Sequence, residues 1–178
     1  MADETDYLRF YDDEGYLLDV GKSFRETGNI EPADFYMLLI WKANRAKNRH
    51  RDRLKRLADG SFRTAVSQIA SALHATADRK HRLQMLMKKW EFALPTATAI
   101  LTILYPDEFT VYDYRVCEEV RLPYTPQASF SDDLWHRYEQ FQAAVVDATP
   151  KQLTKLRDRD RFLIGRSFRK QLEADCMD

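Results

Sequence analysis

Apolar residues recur along this chain at helical spacing, and the polar residues between them mark where each helix starts. Glu31-Pro32 opens one, since a proline and acids suit a helix N-terminus, and Phe35, Leu38 and Leu39 form its inner stripe. Ser61 stands as an N-cap before Val66, Ile69, Ala70 and Leu73, and Asp78 before Leu83, Leu86 and Met87. Ser131 precedes Leu134, Trp135, Tyr138, Phe141 and Val145 in the same way. Thr149 and Pro150 predict the cap and first position of a last helix, with Leu153, Leu156, Phe162, Leu163 and Phe168 as its apolar positions. Near the start, Tyr7, Leu8, Phe10 and Tyr11 alternate with acids. They predict a short helix, a turn at Gly15 and an irregular packing segment, with loops at Gly21 and Gly28.

The stretch from Trp90 to Val116 organises the rest. Pro95 suits a first helical position, and Ala97, Ala99, Ile100, Leu101, Ile103 and Leu104 make a segment apolar nearly all round, as in a helix buried at the centre of a helical domain. Pro106 stops it. A short acidic turn at Asp107 and Glu108 follows, and residues 109–112 run extended into Asp113, which opens another helix. One buried helix thus delivers one carboxylate, flanked by Tyr112, Tyr114 and Arg115. The sequence predicts a compact all-α domain of about seven helices over residues 1–178. Its parts are an acidic N-terminal segment (1–30), a core holding Asp113 (31–121) and C-terminal helices (122–178).

Composition narrows the possible functions. The 178 residues are 44% hydrophobic and 12% aromatic, enough for a real core. Net charge is zero, against an unselective polyanion binder, but the charge is unevenly placed. Asp3, Glu4, Asp6, Asp12, Asp13 and Glu14 crowd the start, whereas residues 42–56 hold eight Lys or Arg with one Asp. That basic window reads either as a solvated helix face or as a phosphate-binding patch. The basic positions of the last helix, from Lys151 to Lys170, read as a solvated face. Cys117 and Cys176 are the only cysteines, too few for a four-cysteine iron–sulfur cluster, and a disulfide between them is not expected. His74 and His81 lack metal-ligand spacing with any Cys, Asp or Glu, so no metal or other cofactor is expected. No apolar run resembles a signal peptide or reaches transmembrane length, which predicts a reducing, cytoplasmic setting without membrane partners.

The order of a hairpin, a small-residue helix, a proline turn and Val111-x-Asp113-x-Arg115-Val116 resembles the helix-hairpin-helix base-excision DNA glycosylases (the HhH-GPD superfamily), in a divergent form of the 8-oxoguanine-glycosylase type. There a helix of Thr-Ala-x-x-(Val/Ile)-Leu type follows the hairpin, as Thr96-Ala97 through Leu101 does here, and the chain returns with the catalytic aspartate. The motif covers about residues 80–121. The resemblance implies DNA as partner and Asp113 as the carboxylate that stabilises an oxocarbenium-like state or activates water. The lysine nucleophile of bifunctional members falls on Pro95, so an enzyme of this kind would be monofunctional. The hairpin glycines fall on Glu91 and Ala93, where a carboxylate repels phosphate and alanine resists a positive φ. Lys88 and Lys89 just upstream would contact phosphate instead.

Each candidate has a plainer reading beside it. Asp113 is also a good N-cap for its own helix. Trp41, Tyr112 and Tyr114 would stack a base on this reading, or belong to the core. Lys42, Arg45, Lys88, Lys89 and Arg115 would contact nucleic acid, while Arg115 could equally pair with Glu118 or Glu119. At the level of function the alternative is a glycosylase-like scaffold that cuts nothing, and binds nucleic acid, a protein partner or a second copy.

Overall fold

The computed structural model describes residues 13–176, and every regular element among them is helical. The acidic stretch of Asp3, Glu4, Asp6 and Asp12, with Tyr7, Leu8, Phe10 and Tyr11 among it, lies outside the described residues. In chain order the elements are α1 (Asp13–Thr27), α2 (Pro32–Ala43), a 3-10 turn (Asn44–Ala46), α3 (Lys47–Leu57), α4 (Phe62–His74) and α5 (Arg79–Lys88). Then come α6 (Leu94–Leu104), α7 (Tyr114–Glu119), α8 (Asp132–Asp147) and α9 (Leu156–Asp175). The capping side chains act as their positions predict. Ser61 Oγ accepts from Thr64 N at 3.1 Å, Ser131 Oγ accepts from Leu134 N at 3.0 Å, and the Asp78 carboxylate accepts from His81 N.

Helix α6 is the centre of the molecule. Leu94 and residues 96–104 are all buried, and α1, α2 and α5 pack on it. Such enclosure needs every polar group on the helix to find a partner. Thr98 and Thr102 manage this by donating back to the carbonyls of Leu94 and Thr98, at 2.8 and 2.7 Å.

Two expected boundaries move. Gly15 and Gly21 do not interrupt the chain; α1 runs through both. Gly21 is instead a point of contact, since a Cβ there would lie 2.1 Å from the carbonyl oxygen of Ile103, so its bare backbone lets α1 settle on α6. Gly28 does end α1, at φ +74°. At the other end of the chain, Thr149 does not cap the last helix. Its hydroxyl donates to Val145 O at 2.9 Å and accepts from Arg159 Nη1 at 2.7 Å, which closes α8 and delays α9 to Leu156. Helix α9 also departs from its expected stripe. Leu163 is buried, but Phe162 and Phe168 are 39% and 50% exposed, and the other buried positions are Arg157, Arg159, Asp160 and Ser167. This helix docks through charges.

Candidate functional site

The buried face of α6 ends at Tyr105, and the chain returns along its side as residues 109–113, which form no helix or turn. An isolated segment of this kind must have its backbone groups satisfied by side chains. Three helices supply them. The Tyr138 hydroxyl from α8 accepts from Thr110 N at 3.1 Å and donates to Thr110 O at 2.7 Å, as a neighbouring strand would. Asp160 from α9 accepts from Val111 N at 3.1 Å and from the Thr110 hydroxyl at 3.0 Å. Thr98 of α6 accepts from Tyr112 N at 3.0 Å. Asp113 is therefore presented by a clamped segment.

Asp113 does cap α7. Its Oδ1 accepts from Arg115 N at 3.0 Å, and its Oδ2 lies 3.1 Å from Lys42 Nζ, a residue from the last turn of α2. The two side chains keep 25% and 16% of their surface exposed, so the pair is reachable from solvent. Both line an open cavity of about 320 Å³ with Trp41, Val111, Arg157 and Ile164, at the small end of ligand-sized pockets. The guanidinium of Arg157 stands 5.3 Å from the centre of the Trp41 ring and is itself paired with Glu14 at 2.9 Å and with Asp160. Burial pushes the Asp160 carboxyl above the ordinary carboxylate range, and Arg157 and the Thr110 and Val111 donors offset this only in part.

Of the expected site residues, the fold brings Trp41, Lys42 and Asp113 to this one cavity. Tyr112 lies elsewhere. Val111 and Asp113 line one side of the returning segment, while Tyr112, between them, lines a different cavity and packs on Phe141 and Tyr124. Tyr114 is 45% exposed and meets Tyr124 edge-on. Arg115 turns to α9, with its guanidinium 4.4 Å from the centre of the Phe168 ring. Glu119, one of its expected partners, is taken by Arg166 and Lys170. Cys117 is buried just beneath, and burial pushes its thiol up to about 11, far from a reactive thiolate.

The hairpin candidates lie at the other end of α6. Between α5 and α6 the backbone of Glu91 takes φ +55°, at the first position where the resemblance expects a glycine, while Ala93 takes φ −68°. The Glu91 carboxylate is 3.1 Å from Arg56 of α3. Arg53 and His50 of α3 lie 5.3 and 5.5 Å from the centre of the Phe92 ring. Helix α3 thus runs from just after Lys42 to the hairpin, and its 11 residues span about 16 Å. Exposed along this path are Arg45, Arg49, Lys55, Lys88 and Lys89, none of which makes an ion pair among the described residues. Lys88 and Lys89 lie over Phe130 and Trp90.

Asp160 was not foreseen from sequence. Its signal was an acid three residues after Arg157 inside an arginine-rich run, which can equally be a surface pair. No three His, Cys, Asp or Glu gather as a metal site among the described residues, and no helix of theirs is long and apolar enough to cross a membrane. Compared with known protein families, curated proteins and solved structures, the chain matches none.

Proposed function

We propose that this protein binds DNA and removes a damaged or modified base as a monofunctional glycosylase, with Asp113 as the charge-stabilising carboxylate. The observation that carries this reading is the meeting of Trp41, Lys42 and Asp113 at one solvent-open cavity, from segments far apart in sequence. Cleaving an N-glycosidic bond builds positive charge on the sugar, and a fixed, solvent-reachable carboxylate lowers the energy of that state or activates a water against it. The Arg115 amide and Lys42 hold the carboxylate in place. Trp41 offers an aromatic wall, and the basic path along α3 to Lys88 and Lys89 suits a phosphate backbone. With Pro95 in place of the family's lysine, base removal without strand cleavage is the expected outcome.

A second reading has its own observation. Both oxygens of Asp113 already have partners, so the residue could serve only to cap α7 and tie it to α2, within a scaffold that binds without cutting. Duplexes carrying a panel of damaged and modified bases, treated with hot alkali after incubation, separate the two. Under the glycosylase reading the parent releases a base, and Asp113→Asn, matched for melting temperature, loses about 10²–10⁴-fold in rate. Salt-sensitive binding without release would leave the scaffold.

A further inference from the structure

Tyr114 and Arg115 do not line the cavity at Asp113, yet they form a cluster of their own beside it. Tyr114 is the first residue of α7, directly after Asp113, and its ring meets that of Tyr124 with centroids 6.3 Å apart. The Arg115 guanidinium lies 5.3 Å from the centre of the Tyr114 ring and 4.4 Å from that of Phe168 on α9. One cation is thus held against two rings, and a third ring adjoins the first. Burial, and after it the charge of Asp113, holds the Tyr124 hydroxyl above its ordinary pKa, so the cluster lies within the field of that carboxylate.

Rings that serve packing alone are covered, as Phe109 and Phe141 are. Tyr114, Tyr124 and Phe168 are instead 45%, 39% and 50% exposed. Arg115 makes no ion pair among the described residues, and its guanidinium reaches only the Ser167 hydroxyl, at 3.4 Å. Its charge is left for an anion from outside, on a flat group that itself stacks on rings. Open rings around an unpaired arginine suit a ligand that brings planar faces and phosphates together, which is the chemistry of a nucleic-acid strand. Bases paired in a duplex have their faces covered by their neighbours and offer only edges in the grooves. These rings therefore suit bases that are unpaired.

We propose that Tyr114, Tyr124 and Phe168, with Arg115 among them, bind unpaired bases of a single DNA strand beside Asp113. The bases stack on the open rings and Arg115 meets a phosphate between them. A strand with one sugar at Asp113 continues over Tyr114, so the DNA this site takes is single-stranded or locally opened there. The inference rests on the DNA-binding reading for its partner, but not on any base release at Asp113.

The test is fluorescence anisotropy of the full chain with three labelled probes: a short thymidine oligonucleotide, a strand of the same length with abasic sugars throughout, and an undamaged duplex. The abasic strand keeps the phosphates and lacks the faces, so it should bind much more weakly than the thymidine strand. Tyr114→Ala and Phe168→Ala, each at an exposed position and matched to the parent in melting temperature, should weaken the thymidine strand by about 5–150-fold, as the loss of one stacked base does. Tyr114→Phe keeps the ring and should bind like the parent. The proposal is overturned, with the DNA-binding reading left standing, if the duplex binds and the thymidine strand does not. It is equally overturned if the abasic strand binds as tightly as the thymidine strand, if both alanine variants bind like the parent, or if Tyr114→Phe loses as much as Tyr114→Ala. If no probe binds, both readings fall. Ring-dependent binding of the thymidine strand without base release from any damaged duplex would uphold the proposal and reject the glycosylase.

Discussion

At the residue scale, Asp160 does more for the site than its distance from Asp113 suggests. It is fully buried and holds two donors of the returning segment on one side and Arg157 on the other. Replacing it with Asn leaves a carbonyl for Thr110 and Val111 but sets an NH₂ group against the Arg157 guanidinium. Breaking a buried pair from one side costs about 3–5 kcal/mol, lessened here because Arg157 keeps Glu14. Asp160→Asn should therefore lose about 2–4 kcal/mol in urea unfolding, with the loss shared by the 109–113 segment in amide exchange. Wild-type stability in the variant would mean the segment holds itself. Local sequence marks Asp113 as a cap and offers Trp41 and Lys42 as candidates, and adjacency alone groups Tyr112 with Asp113. Adjacent side chains of an extended segment face opposite ways, and that alternation separated them.

At the scale of elements, two contacts set how the helices sit. The first is α1 on α6 through Gly21. A methyl group there meets backbone, which cannot swing aside, so Gly21→Ala should destabilise by about 1–3 kcal/mol despite alanine's better helix propensity. A melting temperature at or above the parent's would refute the close approach. This glycine shows why the α1 boundary was not legible: a helix interior and a loop both accept glycine, and only the partner helix decides between them. The second contact is α3 on the hairpin. Burial, with Arg53 and Arg49 adding to it, lowers the pKa of His50 from 6.5 to about 4, so the folded state holds the ring neutral, accepting from Arg53. The unfolded chain takes up a proton near 6.5 that the folded chain refuses until about pH 4, so stability falls as pH drops through that window, by at most about 3 kcal/mol from this residue. His50→Gln keeps an acceptor for Arg53 without the titration. Its melting temperature should fall less than the parent's between pH 6.5 and 4, and parallel curves would refute the assignment.

At the scale of the whole molecule, the helical class and most caps were readable because they depend on local spacing and short-range bonds. The docking of α9 was not, because its buried positions are arginines and an aspartate, which no apolar stripe reveals. The same limit applies to charge. A net charge of zero leaves no general attraction for a polyanion, so any DNA affinity must come from a local surface. The path along α3 to the hairpin is the surface on which the DNA-binding reading depends, and its exposed cations make no ion pair among the described residues. Each phosphate neutralised on a duplex contributes about 0.9 to the slope of log affinity against log salt. Replacing Arg45, Lys88 and Lys89 together with Gln removes three such charges at exposed positions that make no ion pair among the described residues, so folding should be unaffected. The slope should then flatten by about 2–3, with affinity lost evenly across DNA sequences, because phosphate contacts position a duplex without reading it. Fluorescence anisotropy from 50 to 300 mM salt would measure it. An unchanged slope would move the contact off this face and leave Asp113 facing something other than a DNA backbone.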